Sequence, residues 1–131
     1  MTRQTRRAFL TGSPWEEAVG YARAVRVGSH IYVTGTLAAD DDGRPLGGDD
    51  PYLQTVEILR KIERVLHEAD ASRRDIVRTR MFVTNLDDAP EIGRAHKEFF
   101  GDIRPCATMV EVTRLFIPEA RIEIEVDAHI A

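Results

Sequence analysis

The last strand-like segment of the chain carries the residue types best suited to chemistry. In Arg121–Ile130, one set of alternate positions is apolar, and the other set is Glu123, Glu125, Asp127 and His129. Alternate residues of a β-strand point to opposite faces, so these four polar residues share one face. A carboxylate on such a face can hold a water molecule beside a bound electrophile.

Two other interpretations apply to the same acidic face. Opposite charges on neighbouring strands stabilise a sheet, and we favour ion pairs with Arg78 and Arg80 for Glu125 and Asp127. A metal site with His129 is a poor fit, because successive residues on one face lie ~7 Å apart along a strand. Three such side chains are too widely spaced for coordination at ~2.0–2.2 Å. We expect no metal.

The remaining nucleophiles and loops lack the partners that catalysis needs. Cys106 is not flanked by a histidine base, so we expect a small, half-buried residue rather than a nucleophile. Ser13 and Ser29 lie in predicted turns without a His/Asp constellation. The glycines at Gly43 and Gly47 are not followed by a lysine or a strand–helix junction, so they do not form a phosphate loop. We expect no cofactor.

Length and composition indicate one globular domain over residues 1–131, with 43% hydrophobic and 31% charged residues. The formal net charge of −4 gives no general attraction for nucleic acid or acidic membranes. One cysteine allows no internal disulfide, which suits a reducing cytoplasm. No segment is long and apolar enough to span a bilayer, and no signal peptide is recognisable. We therefore expect a cytoplasmic protein with no membrane or nucleic-acid partner.

Periodicity predicts eight elements in the order βββαβαββ. The predicted strands are Arg6–Thr11, Ala22–Val27, His30–Thr36, Ile76–Thr84, Thr108–Leu115 and Arg121–Ile130, with turns at Gly12-Ser13-Pro14 and Gly28-Ser29 and a loop at Asp40–Asp50. Each of two helices opens with an aspartate cap and a proline: Asp50-Pro51 before an apolar stripe from Leu53 to Ala69, and Asp88 and Pro90 before a helix ending at Phe100.

This order predicts an α+β fold in which two helices cover one face of a sheet. The other face would carry the carboxylate row. A second surface is expected to meet that face, and closed oligomers are a usual solution for a half-covered sheet.

Several strings, in this order and spacing, resemble the RidA/YjgF family over nearly the whole chain. They are Gly20-Tyr21, Val27-Gly28, Thr34-Gly35, Met81–Leu86, Arg104-Pro105, Met109–Val112, Arg114-Leu115 and Ile122–Glu125. The resemblance implies a chorismate-mutase-like fold assembled as a homotrimer, with a ligand cleft at each subunit interface. It also implies the chemistry of the deaminase members, which hydrolyse 2-imino acids or their enamine tautomers to 2-keto acids and ammonia.

The resemblance assigns roles to four residues that match the family pattern. Tyr21 takes the position of the pocket tyrosine, and Thr34 and Gly35 take the positions of the early hairpin. Glu123 takes the position of the glutamate that orients the attacking water, which favours Glu123 over its acidic neighbours as the catalytic residue.

Three other pocket positions have changed in character. The arginine that pairs with the substrate carboxylate in deaminases is replaced by Ala107, and the cysteine two residues later by Met109, with Thr108 between them. An asparagine of the second helix is replaced by Gly93. Losing a buried bidentate partner costs roughly 2–5 kcal/mol, so we expect weak or absent activity on simple 2-imino acids.

Another arginine could replace the missing one. Arg104 precedes a proline, so its backbone is expected to be extended and its side chain could enter an interface groove. Arg23 lies two residues after Tyr21, on the same strand face, and ranks second. For Arg114 we favour ordinary pairing between subunits. Glu16 or Glu17 could pair with Arg104 or Arg23.

Two functions remain open at this stage. One is a hydrolase for a small imine, enamine or carbonyl compound, and the other is a binding module that holds a metabolite in the same clefts without turnover. A ribonuclease, a label often attached to relatives, finds little support in a chain of net negative charge without a basic strip interleaved with aromatic residues.

Overall fold

The computed structural model describes residues 5–131 and contains one six-stranded sheet with the order β1-β2-β3-β6-β4-β5. The strands are β1 (Arg6–Phe9), β2 (Ala24–Val27), β3 (His30–Leu37), β4 (Ile76–Val83), β5 (Cys106–Glu111) and β6 (Ile122–His129). The α-helices are α1 (Pro14–Val19), α2 (Pro51–Glu68) and α3 (Ala89–Phe100), and short 3₁₀ turns occupy Arg73–Asp75 and Leu86–Asp88. The predicted α+β class is confirmed.

The last strand of the chain lies inside the sheet. β6 pairs antiparallel with β3 on one side and with β4 on the other, while β4 and β5 form a parallel pair connected through α3. The apolar positions of β6 are buried, and Ile122 and Ile124 are fully inaccessible to solvent. Their side chains share one core with α2 and α3, as the alternation of the segment predicts. The opposite face of β6 carries the acidic residues.

Helix α2 begins as predicted, but its first turn buries polar residues. The Asp50 side chain accepts hydrogen bonds from the backbone N–H groups of Tyr52 and Leu53 at 2.8 and 3.2 Å. Leu53, which the apolar stripe places in the core, is 47% exposed, whereas Gln54 is buried. Gln54 is accommodated because its amide donates to two backbone carbonyls and accepts from the N–H of Arg121.

Two predictions near the starts of helices are wrong. The Gly12-Ser13-Pro14 turn opens helix α1, in which the Ser13 side chain accepts from the N–H of Trp15 and Pro14 takes the first helical position. Asp88 makes no side-chain cap for α3, because its carboxylate accepts a hydrogen bond from Arg121 at 2.8 Å instead.

The fifth strand is also shifted towards the N-terminus, from the predicted Thr108–Leu115 to Cys106–Glu111. Its parallel partner β4 ends at Val83. The Val112 N–H donates a hydrogen bond to the Val83 carbonyl at 2.7 Å, at the end of the pairing between the two strands. Beyond it, Leu115 leaves the sheet and packs beside Trp15 against a small second cluster of buried residues.

Among the described residues, no helix is both long and apolar enough to cross a membrane.

Candidate ligand-binding site

The candidate site is a cavity of about 340 Å³ at the end of β6 that carries Glu123. Its lining comes from helix α1, the β2–β3 hairpin, the middle of α2, the loop after β5 and the start of β6: Trp15, Val19, Tyr21, Arg23, Thr34, Gly35, Leu37, Lys61, Phe116, Glu123 and Glu125. A larger open groove of about 920 Å³ continues from it over the outer face of the sheet. The cavity joins five of the nine predicted site residues within a single chain.

A β-bulge in β3 places Gly35 against Glu123. Between the pairs Val33–Val126 and Thr36–Ile124, strand β3 uses three steps where β6 uses two. The extra residue bends the strand, which is a common device beside functional sites. A Cβ atom at Gly35 would lie 2.9 Å from Cδ of Glu123, so the space that a side chain would need is filled by the carboxylate.

Glu123 is half-buried and sits in an environment that favours its neutral form. Burial raises the pKa of its carboxyl group above the usual 4.5, and the negative charge of Glu125 raises it further. The positive charge of Arg23 acts in the opposite direction. A carboxylate with a raised pKa is a better proton acceptor near neutral pH than an exposed glutamate.

Arg23 is a buried structural support for this site and is 6% exposed. Its Nη1 donates to the Gly35 carbonyl and to the Thr36 hydroxyl, each at 3.2 Å, so it holds the bulge in place. Its Nε lies 3.8 Å from the Glu16 carboxylate and has no hydrogen-bond acceptor among residues 5–131. The predicted pairing of Glu16 with Arg23 is present, and Glu16 also accepts from the N–H and hydroxyl of Thr11.

Lys61 is a site residue that the sequence analysis missed. It projects from α2 and donates a hydrogen bond to the Leu37 carbonyl at 3.3 Å. Burial lowers the pKa of its amine to about 8, and the positive charge of Arg23 contributes to the decrease. No local motif marks this lysine, because its neighbours in the cavity are distant in sequence.

The sequence also gave no indication of the aromatic wall of the cavity, which is formed by Trp15 and Phe116. The rings of Trp15 and Phe116 meet edge to face with centroids 5.1 Å apart, and Phe116 is 70% exposed. An aromatic pair of this kind provides a contact surface for an apolar or planar group. The lining of the site therefore combines an aromatic pair with charged side chains.

The other four predicted site residues lie at the far edge of the same sheet. Strand β4 separates β5 from β6, so Ala107, Thr108 and Met109 are two strands away from Glu123. Ala107 pairs with Thr79 and Met109 with Met81, both on the helix-covered side, whereas Thr108 pairs with Arg80 on the outer face. Within a single chain these residues do not line the cavity with Glu123.

Arg104 does not have the extended backbone that its proline neighbour predicts. Its φ is +50°, in the left-handed region, and its side chain is exposed. The chain must reverse between the end of α3 at Phe100 and the start of β5 at Cys106, and Ile103 is held by a bond from its N–H to the Phe100 carbonyl. The tight reversal outweighs the preference of the residue before proline.

The two acidic residues that follow Glu123 on this face, Glu125 and Asp127, form ion pairs with an arginine, as favoured from the sequence. Nη1 of Arg80 lies 3.3 Å from both Glu125 and Asp127, while Arg78 is only opposite Asp127 in the strand register. His129 stacks on His30 with ring centroids 4.4 Å apart. Within residues 5–131, no group of three or more His, Cys, Asp or Glu side chains is arranged to hold a metal ion.

Comparisons with known proteins agree over nearly the whole chain. The sequence model of the family described as Endoribonuclease L-PSP matches residues 12–130. A structure from Mycobacterium tuberculosis, a member of the YjgF/YER057c/UK114 family, is 44% identical, with a TM-score of 0.88 over 96% of this chain and 100% of that one.

Two relatives are similar in sequence. An uncharacterized protein of Streptomyces coelicolor is 35% identical over 129 residues, which is 98% of this chain and 96% of the relative. A RutC family protein of Pyrococcus abyssi is 31% identical over 109 residues, which is 83% of this chain and 85% of the relative. The fold and these likenesses together show that the chain belongs to the endoribonuclease L-PSP family, the RidA/YjgF family that its sequence resembles.

Proposed function

We propose that the protein hydrolyses a small imine, enamine or related carbonyl compound in the cavity, with Glu123 orienting the attacking water. The observation that carries this proposal is the state of the Glu123 carboxylate. It is half-buried, its pKa is raised, and it is packed against Gly35 at the wall of a cavity. Arg80 binds Glu125, and Thr11 binds Glu16, but Glu123 has no such partner among the residues described.

The chemistry needs one base at this position. Water adds to the carbon of the C=N bond while Glu123 accepts one of its protons, and the nitrogen takes up a proton. The resulting carbinolamine then loses ammonia and leaves a carbonyl group, so imine and water give ketone and ammonia. Tyr21 and Thr34 line the same cavity and would shape the space around the electrophile.

The complete site requires a second copy of the chain. Ala107 and Met109 lie at the open edge of the sheet, two strands from Glu123, so only another protomer could bring these positions to the cavity. The outer face of the sheet also exposes apolar side chains, with Tyr32 51% and Val110 42% exposed. We propose the homotrimer that the family resemblance implies, in which β5 of one protomer closes the cavity of the next.

Ala107 restricts the substrate. An alanine cannot supply the planar fork that binds a carboxylate, and Arg23 does not replace it, because its guanidinium is buried and bound to Gly35 and Thr36. We propose a substrate less anionic than a simple 2-imino acid, with an apolar group placed against Trp15 and Phe116.

The test couples an amino-acid oxidase, which produces 2-imino acids, to the measurement of 2-keto acid release. A set of neutral imines is run in parallel. We expect slow turnover of the 2-imino acids and faster turnover of neutral imines with aromatic substituents, both abolished in Glu123→Gln. Activity that is unchanged in Glu123→Gln contradicts the proposed role of this carboxylate.

A second candidate function is binding without turnover. The aromatic wall favours it, because Trp15 and Phe116 provide an apolar contact surface that needs no acid or base. Glu123→Gln separates the two functions: chemistry that is lost while binding is kept indicates an enzyme. Binding that is kept in a wild-type protein without any turnover indicates a metabolite-binding module.

A further inference from the structure

Lys61 places an amine in the cavity that the proposed hydrolysis does not use. Its Nζ is anchored to the carbonyl of Leu37, and Leu37 is paired with Glu123 across β3 and β6. Paired residues of an antiparallel sheet have Cα atoms about 4.5–5.5 Å apart. The backbone anchor of Lys61 is therefore the strand neighbour of Glu123, and both side chains line one cavity.

The surroundings of Lys61 make its amine unusually easy to deprotonate. Burial is the main cause that lowers its pKa from 10.5 to about 8, and the positive charges of Arg23 and Arg64 act in the same direction. Asp40 and Asp41 oppose the decrease. An amine with a pKa near 8 is about half neutral at pH 8, and the neutral form is the nucleophile.

We propose that Lys61 captures small aldehydes and ketones in this cavity as an imine. The nitrogen lone pair adds to the carbonyl carbon, and the former carbonyl oxygen takes up a proton to give a carbinolamine. Loss of that oxygen as water then leaves a C=N bond to Nζ, so amine and carbonyl compound give imine and one water. Glu123 lines the same cavity and would accept and return the protons in the addition and the loss of water.

The aromatic wall indicates which carbonyl compounds fit. The lining of the cavity of about 340 Å³ includes the ring pair of Trp15 and Phe116 together with Lys61 and Glu123. A planar aromatic aldehyde can contact the rings while its carbonyl carbon meets the amine. This capture uses residues of a single protomer, so it does not depend on the trimer or on imine hydrolysis.

The sequence supplies an internal control, because the chain contains two lysines, Lys61 and Lys97. Lys97 is exposed on α3. The experiment incubates the intact protein with benzaldehyde and sodium cyanoborohydride at pH 8, which reduces any imine to a stable secondary amine. Peptide mass spectrometry then measures the adduct at Lys61, at Lys97 and at the terminal amine separately.

We expect benzaldehyde to label Lys61 at least tenfold more than it labels Lys97. We also expect benzaldehyde to label Lys61 more than acetaldehyde does, because acetaldehyde cannot contact the aromatic rings. Lys61→Arg keeps a cation but cannot form an imine, so total adduct should fall to the amount at Lys97 and the terminus.

Equal labelling of the two lysines overturns the proposal. The ratio in the wild-type chain decides the matter even where Lys61→Arg fails to fold. Failure of the deaminase assay leaves the labelling result unchanged, so the two proposals fail separately.

Discussion

Gly35 and Glu123 fit together so closely that one cannot gain an atom without moving the other. A Cβ on Gly35 would lie 2.9 Å from Cδ of Glu123 and 3.1 and 3.2 Å from its two carboxylate oxygens. The atom that would have to move is the end of a flexible side chain rather than backbone. Glycine at this bulge therefore serves to position the carboxylate.

Gly35→Ala is expected to displace the Glu123 carboxylate and to lower the proposed hydrolysis at least tenfold, with little loss of folding stability. A displacement of about 1 Å in a catalytic group is enough for a large decrease in rate. Activity and the melting temperature are measured on the same preparations. The matched control is Gly93→Ala in α3, because Gly93 does not line the cavity and an added Cβ there meets nothing within 4 Å.

The control should keep its activity and gain about 0.5–1 kcal/mol, because glycine is unfavourable inside a helix. Full activity in Gly35→Ala would contradict the positioning role.

Glu123→Gln is expected to change how stability depends on pH. The pKa of Glu123 is raised in the folded protein, so the folded state holds this proton more tightly than the unfolded state. Stability from this group is complete below the unfolded pKa of 4.5 and is lost as the pH rises through the higher folded pKa. Glutamine cannot be ionised, so the variant should lack this decrease and be more stable than the wild type at pH 7.

Urea unfolding between pH 4 and pH 8, at one fixed protein concentration, measures the difference. Parallel pH profiles for the two proteins would show that the burial of Glu123 carries no energetic cost.

Much of this arrangement could be predicted from patterns of neighbouring residues. The alternation in β6 identified its buried and acidic faces, and Asp50-Pro51 marked the start of α2. The resemblance to the family predicted that Tyr21, Thr34 and Glu123 belong to the ligand pocket. The structure brings these three residues to one cavity. Local sequence patterns predict the structure correctly where strand alternation sets which face is buried or where a capping residue sets the start of a helix.

The features that escaped prediction depend on contacts between distant segments. Lys61 reaches the cavity because α2 packs against β3, and Phe116 reaches it because β5 ends at Glu111. Helix α1 is six residues long, so its sequence shows little helical periodicity. Its start at Ser13-Pro14 nevertheless has the same cap followed by proline as the start of α2 at Asp50-Pro51. Arg104 adopts a positive φ because the chain must reverse after α3. The preference of a residue before proline for an extended backbone does not predict this reversal.

Arg23→Met is expected to destabilise the protein by about 3–5 kcal/mol, because it leaves the Glu16 carboxylate buried without its counter-charge. Glu16 is 5% exposed, so water cannot replace the guanidinium. The bulge at Gly35 also loses its hydrogen bond from Arg23. Urea unfolding at a fixed protomer concentration measures the loss, and the double variant Glu16→Gln/Arg23→Met should recover part of it.

Arg80→Met serves as the comparison for a half-exposed arginine. Its pairs with Glu125 and Asp127 are open to solvent, so the expected cost is about 0–1 kcal/mol. An equal cost for the two variants would show that the burial of the Arg23–Glu16 pair is not what makes it important.

Ala107→Arg is expected to raise kcat/KM for simple 2-imino acids at least tenfold. A buried guanidinium that pairs with the substrate carboxylate is worth roughly 2–5 kcal/mol, and the other residues of the site are already in place. Ala107→Met is the matched control, because it adds a side chain of similar length without a guanidinium and should leave the rate unchanged. Dilution of the Ala107→Arg protein below the concentration at which native mass spectrometry shows oligomers should abolish the gain. Because Ala107 lies two strands from Glu123, a gain that persists in the isolated protomer would exclude a site completed by a second copy.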